Sequence, residues 1–263
     1  MRRRARIVQI VRDFSRKPLS DCRVLDLACL EGDFAAELAM RGAQALGIEG
    51  RASNIERGRA RHPMKSLQFT QDDVRNLSRE KYGQFDIVLC LGILYHLDAP
   101  ECFKLLRSIA EVCTGFAVID THVSLTPNTQ RSYDGRTYSG SFYTEYERRP
   151  SSDEQERKVW AAIDNCQSFW PSKPSLVNAV IDAGFVSAYE CQYPAWNDIP
   201  ADRVALVALK GEREKVLSEN IDDALYHERL DETPRVPPVL GGDVRRGLLS
   251  RLAALATEKL RRM

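Results

Sequence analysis

No run of this 263-residue sequence stays apolar over the ~20 residues that a membrane-spanning helix needs. The start, MRRRARIVQIVRDF, carries a basic cluster, but Arg12 and Asp13 interrupt its apolar stretch before it reaches the length of a secretory leader. A dominant charge is lacking as well. The 38 basic and 37 acidic residues leave a formal net charge of +1, so no sequence-wide field draws the chain onto nucleic acid or an anionic surface. The seven cysteines are odd in number, include no CxxC pair and lie mostly inside apolar runs. That excludes a disulfide framework and reads as reduced core thiols of a cytoplasmic protein. No His, Cys or acid spacing forms a metal-ligand cluster, so no metal is expected.

What is present is a 43% apolar composition, enough for one large core with decoration. Strand-length apolar runs alternate with helical patterns from residue 22 to about 120, the rhythm of βαβ units. The predicted strands are Arg23 to Cys29, Gln44 to Glu49, Leu67 to Gln71, Phe85 to Leu91 and Phe116 to Asp120. The predicted helices are Gly32 to Arg41, Ala52 to Arg61 and Pro100 to Val112. Residues 121–172 turn polar and aromatic and read as an insertion. A helix from Ser175 to Ala183 and strands Phe185 to Cys191 and Arg203 to Leu209 follow, the last two joined by a turn too short for a crossover helix and hence antiparallel. The expected fold is α/β, a doubly wound, mostly parallel seven-stranded sheet with an antiparallel last strand, over residues 1–210. Residues 211–263 read as a C-terminal extension with a Pro-rich link and a basic amphipathic helix from Asp243, expected to dock onto the domain or, as a homodimer element, onto a second subunit, ahead of an anionic surface.

In an open parallel sheet the ligand sits beyond the carboxyl ends of the strands, where the strand order reverses. Four segments end strands there. Val24-Leu25-Asp26-Leu27-Ala28-Cys29-Leu30-Glu31-Gly32 runs from strand to turn to helix. Leu46-Gly47-Ile48-Glu49-Gly50 puts a carboxylate ~20 residues on, the spacing at which an acid meets ribose hydroxyls. Gln71-Asp72-Asp73-Val74 and Leu91-Gly92-Ile93-Leu94-Tyr95-His96-Leu97 end the third and fourth strands.

The first segment resembles the strand-DxGxGxG-helix loop of class I S-adenosylmethionine-dependent methyltransferases, with Ala28 and Leu30 where that family usually has Gly and Gly32 retained. Leu30 is then expected to keep φ below zero and point outward. The fourth segment is similar to the LYH segment of the tRNA wobble-uridine carboxymethyl-transferring enzymes, as are Phe169-Trp170-Pro171-Ser172, Gly184-Phe185 and Arg203. The resemblance implies S-adenosylmethionine as methyl donor. It implies a donor site of Asp26, Ala28, Leu30, Gly32, Glu49, Gly50, Asp72, Asp73, Val74, Leu91, Gly92, Tyr95 and Arg203, with Glu49 on the ribose, Asp73 on the adenine amino group and Tyr95 beside the amino acid portion. Each acid has a plain alternative as a solvated strand-end or turn-capping residue.

Candidate bases are His122, two residues past strand five, and His96, after strand four; either can also be an ordinary loop histidine. Tyr133, Arg136, Tyr138, Tyr143 and Trp170 of the insertion suit a lid that stacks on a polar acceptor, or else a cap over the sheet edge. Methyl transfer to oxygen or nitrogen of a small polar molecule, a sugar or a biosynthetic intermediate, is the expected function. The alternatives are tRNA modification, which the near-neutral charge disfavours, and a binding protein with a vestigial donor site.

Overall fold

The computed structural model describes residues 2–192 and 200–211. The Pro-rich link, the amphipathic segment from Asp243 and the dimer element expected there lie outside the described residues. Seven strands form the main sheet: β1 (Arg23–Leu27), β2 (Gln44–Glu49), β3 (Leu67–Gln71), β4 (Phe85–Leu91), β5 (Cys113–His122), β9 (Ser187–Glu190) and β10 (Arg203–Leu209). Their order is β3-β2-β1-β4-β5-β10-β9, and β10 is antiparallel to both its neighbours while the rest pair in parallel. The expected sheet is thus the one found, and the order reverses between β1 and β4.

The strands read as apolar runs because both faces are covered. Leu25, Leu27, Val88, Cys90 and Ile119 point to one side, against α5 (Glu101–Val112) and α7 (Lys173–Asp182). Val24, Ile87, Leu89, Val118 and Val207 point to the other, against α1 (Arg2–Phe14) and α2 (Asp33–Ala39). Helix α3 (Ala52–Arg61) has the bounds read from sequence, a one-turn helix α4 (Arg79–Tyr82) precedes β4, and α7 starts two residues early because Ser172 caps it and Pro174 fits its first turn. Helix α1 was not anticipated, although Ile7, Ile10 and Val11 recur at helical spacing and all three are buried. The thiols of Cys22, Cys29, Cys90, Cys102 and Cys113 are free and buried, as expected of core cysteines. Among the described residues no helix is long and apolar enough to cross a membrane.

The insertion after β5 carries its own antiparallel sheet, β6 (Thr129–Tyr133), β7 (Arg136–Thr144) and β8 (Gln167–Pro171), with a short helix α6 (Ser152–Arg157) before β8. Its inner face is a packing surface. Tyr138, 2% exposed, stacks on Phe103 at 4.3 Å and donates its hydroxyl to Asp182 at 2.9 Å. Tyr133 stacks on the same ring at 5.9 Å, and Arg136 lies 3.8 Å from Asp182. These three were expected to hold the acceptor. Tyr133 and Tyr138 instead pack on Phe103 of α5, and Tyr138 and Arg136 reach Asp182 of α7, because β-strand alternation sends all three to the face that meets those helices.

Tyr138→Phe should therefore cost about 1.5–2 kcal/mol in stability, the worth of a hydrogen bond to a charged group, and leave any ligand affinity unchanged. Denaturant titration beside ligand calorimetry checks both halves.

Candidate functional site

Beyond the carboxyl ends of β1 to β4 lies a cavity of about 940 Å³. Asp26, Ala28, Leu30, Glu49, Gly50, Asp72, Asp73, Val74, Leu91, Gly92, Tyr95, His96 and Arg203 all contribute to its wall, so four separate segments of sequence meet there as expected. Gly32 does not. A Cβ on it would fall 2.6 Å from the Phe69 ring, so its part is close packing of the loop on β3.

The loop leaving β1 departs from expectation. Ala28 and Leu30 both take positive φ, 51° and 52°, and Leu30 forms part of the cavity wall rather than pointing outward. Left-handed backbone costs an L-residue roughly 1–2 kcal/mol. The compensation is visible in Glu49, 2% exposed, whose Oε2 accepts the Leu30 N–H at 3.0 Å. Its Oε1 accepts the Arg51 N–H at 3.0 Å and the Asn54 side-chain amide at 3.1 Å. Hydrogen bonds to a buried carboxylate contribute ~1.5–3 kcal/mol each, enough to hold the turn in this form.

Asp26 is the opposite case. It is 2% exposed, and among the described residues its hydrogen-bond donor is one N–H, that of Ala35 in the first turn of α2, at 3.2 Å. Burial pushes its carboxyl up to about 7, against that hydrogen bond and the field of Arg3. An acid left so poorly compensated in a cavity wall favours a cationic ligand group.

Asp72 and Asp73 are held at the end of β3. Burial opposes ionisation of Asp72, but Lys81, Tyr82 and Asn76 outweigh it and keep the group well below the carboxylate range. Asp73 caps the turn Val74–Asn76 by accepting the Arg75 N–H at 2.9 Å, and its carboxylate pairs with the Arg75 guanidinium. At the far side Arg203 donates Nε to Asp120 at 2.6 Å, and Arg3 of α1 donates to the other oxygen of Asp120 at 3.2 Å. Arg3 and Asp120 went unnoticed in the sequence; both arginines line the cavity.

The insertion closes the remaining wall. Residues 159–165 line the cavity, with Ile163 so close over Gly50 that a Cβ there would meet its Cδ1 at 2.5 Å. Arg51, 5% exposed, fixes this segment by donating to the carbonyls of Gln155 at 2.7 Å and of Lys158 and Ala161 at 3.1 Å. A buried guanidinium spread over carbonyls at the end of α6 complements the helix dipole.

The two candidate bases separate. His96 is in the cavity wall, with Nδ1 2.8 Å from Glu145 Oε1. His122 is not. Its ring stacks on Trp170 at 5.0 Å and meets Tyr95 edge-on at 4.7 Å, and its buried Nδ1 lies 3.1 Å from Asp202 but out of line for a hydrogen bond. Trp170 donates Nε1 to the Tyr95 carbonyl at 2.9 Å, and Tyr143, 46% exposed, stacks on it at 4.5 Å. None of the five expected acceptor residues lines the cavity; Trp170 meets its wall edge-on at Tyr95, 6.1 Å away, and with Tyr143 stacked on it forms a shelf there.

Comparison with known proteins agrees with this architecture. Residues 24–115 match the family model described as a methyltransferase domain. Ubiquinone biosynthesis O-methyltransferase of Acinetobacter baylyi is 36% identical over 108 residues, 40% of this chain and 43% of that protein. The same enzyme of Bordetella pertussis is 30% identical over 102 residues, 38% of this chain and 39% of that protein. The chain thus matches less than half the length of these curated relatives. Among solved structures, the N-terminal domain of EvdMO1 with S-adenosylhomocysteine bound superposes with a TM-score of 0.62 at 25% identity, over 78% of this chain and 80% of that one. The same domain is also known in the presence of S-adenosylhomocysteine and D-fucose, at a TM-score of 0.62 and 25% identity, covering 78% and 82%.

The buried Asp26 makes stability depend on pH. Its folded value of about 7 exceeds the ordinary 3.8, so the native state holds a proton that the unfolded state releases, and stability falls as pH rises from ~4 to ~7. Asp26→Asn should flatten that fall and be more stable than the wild type at pH 8 by an amount on the order of 2–4 kcal/mol. Denaturant unfolding from pH 4 to 9 is the check; parallel curves for the two proteins would show that the wild-type acid is already compensated.

Proposed function

We propose that this chain, a member of the class I S-adenosylmethionine-dependent methyltransferases, methylates a hydroxyl oxygen of a small polar acceptor of the sugar class. The observation that carries the reading is the crevice itself: a cavity of about 940 Å³ at the strand-order reversal, walled by acids from β1, β2 and β3 and, at its far side, by Arg3 and Arg203. Those residues fit the donor. Glu49 is fixed at the strand end where ribose hydroxyls are met, Asp73 and Val74 stand where adenine is received, and Asp26 suits a cationic group. Arg203 and Arg3 suit a carboxylate.

The donor supplies a methyl group already activated on a sulfonium, so the protein's task is placement and exclusion of water. Segment 159–165, pinned by Arg51, covers the crevice. The shelf of Tyr143 and Trp170 beside Tyr95 offers an aromatic surface on which the apolar side of a sugar ring packs, a chemistry in keeping with the EvdMO1 domain having been crystallised in the presence of S-adenosylhomocysteine and D-fucose. A hydroxyl acceptor also loses a proton during transfer, which calls for a base in the cavity wall.

The test begins with calorimetry of the purified protein against S-adenosylhomocysteine, where absence of binding would leave only a vestigial fold. Labelled donor with a panel of deoxyhexoses and their nucleotide-linked forms then reads acceptor class, and label on nitrogen compounds alone would overturn the oxygen assignment. Tyr143→Ala should raise the acceptor KM about three- to tenfold, the worth of one stacking contact, with donor affinity unchanged. An unaltered KM would remove the shelf from the acceptor site.

A further inference from the structure

We propose that His96 is the base that takes the acceptor proton and that Glu145, on the insertion, is its positioning residue. This rests on the reading of the crevice as a methyl-transfer site. His96 lies in the turn Leu94–His96 that follows β4, and its side chain is 13% exposed, in the cavity wall. Its Nδ1 is 2.8 Å from Oε1 of Glu145, whose own side chain is 2% exposed. The same Oε1 accepts the Ser168 hydroxyl at 2.5 Å, and Oε2 accepts the N–H of Ala162 at 3.2 Å. Burial raises the Glu145 carboxyl, but His96, Ser168 and the Ala162 N–H outweigh it and hold the group below its usual value.

An ionised, buried carboxylate against Nδ1 fixes the ring with its proton on that nitrogen. Nε2 is then the acceptor, and among the described residues it has no hydrogen-bond partner. It is available to the cavity. This is the arrangement by which a carboxylate behind an imidazole sets its tautomer and stabilises the imidazolium once formed. In the step, an oxygen lone pair forms the bond to the methyl carbon while the carbon–sulfur bond breaks and its electron pair stays on sulfur. The hydroxyl proton passes to Nε2. The products are a methyl ether, a neutral thioether and an imidazolium paired with Glu145, which returns its proton to water.

Glu145 also links the base to the lid. Its Oε2 holds Ala162, in the segment that Arg51 anchors through the adjoining Ala161 carbonyl at 3.1 Å. Seating the segment over the donor and orienting the base are thus one packing event. The charged and titratable groups around the pair are Tyr95, ring to ring with His96 at 4.3 Å, His122 beyond Tyr95, and Arg3, Arg203 and Asp26 across the cavity.

The experiment measures kcat against pH for the full chain, with S-adenosylhomocysteine affinity alongside. The wild type should show an acid limb that His96→Gln loses, with kcat down about a hundredfold. Glu145→Gln should lower the plateau about tenfold or more and move the limb to lower pH, because the charge favouring imidazolium is gone, with inhibitor affinity within about threefold. A lowered plateau with an unmoved limb would make Glu145 merely structural and overturn its part. Nitrogen-15 NMR gives a reading independent of activity: the neutral His96 ring should carry its proton on Nδ1, and a proton on Nε2 overturns the proposal. A wild type that binds the inhibitor, shows this tautomer and methylates nothing supplied would count against the acceptor assignment and leave the dyad standing.

Discussion

The buried carboxylate of Glu49 is the constraint on which the rest of the site depends. Leaving one partner of such a charge unmet would cost several kcal/mol, so the chain arranges itself to satisfy it. The Leu30 N–H reaches Oε2 only along a turn that places Ala28 and Leu30 at positive φ. Arg51 must present its N–H to Oε1, which fixes the backbone from which its guanidinium spreads under the segment after α6. One carboxylate therefore sets the loop after β1, the start of α3 and the seat of the lid.

The insertion divides its aromatic residues between two tasks by strand alternation. On β7, Tyr138 and Phe142 share a face with Gly140 and meet the Phe103 and Phe169 cluster, the first stacked on Phe103 and the second 6.1 Å from Phe169. Gly140 is required between them, since a Cβ there would lie 2.4 Å from the Trp170 carbonyl. Tyr143, on the opposite face, is free to stack on Trp170, which likewise alternates with Phe169 on β8. Composition marked the segment as aromatic; the two-residue period assigns each ring to core or to shelf.

The βαβ rhythm was legible because parallel strands covered on both faces must be apolar throughout, and β2 and α3 match the sequence reading residue for residue. Strand β6 was not, since Thr129–Tyr133 is at most half-buried and leaves a polar run with weak alternation. Asp26, Glu49, Asp72 and Asp73 could be found because each stands at the end of a strand in a segment that carries the resemblance. The pairings across the site could not: Arg3 and Asp120 are 117 residues apart, Arg51 and Gln155 104, and His96 and Glu145 49. Pairs so distant follow from the sheet order and leave no spacing to read. The Leu30 conformation was missed for a different reason: side-chain identity argues against positive φ, and the hydrogen bond that overrides it involves a residue 19 positions away.

The crevice is also polarised. At the end of β1 stands Asp26, an acid without a hydrogen-bonded cation among the described residues, and at the ends of β4 and β5 two guanidinium groups share the carboxylate of Asp120, which is fully buried. Two positive charges on one negative leave an excess of positive charge at that end, while Asp26, once ionised, sets a negative charge at the other. In a wall of low dielectric such a separation acts over several ångströms with little screening. A zwitterionic amino acid group is matched in one direction only, carboxylate toward Arg3 and Arg203 and cation toward Asp26. Because Arg3 belongs to α1, the helix that covers the sheet also completes this field, and the polarity of the site depends on that helix being docked.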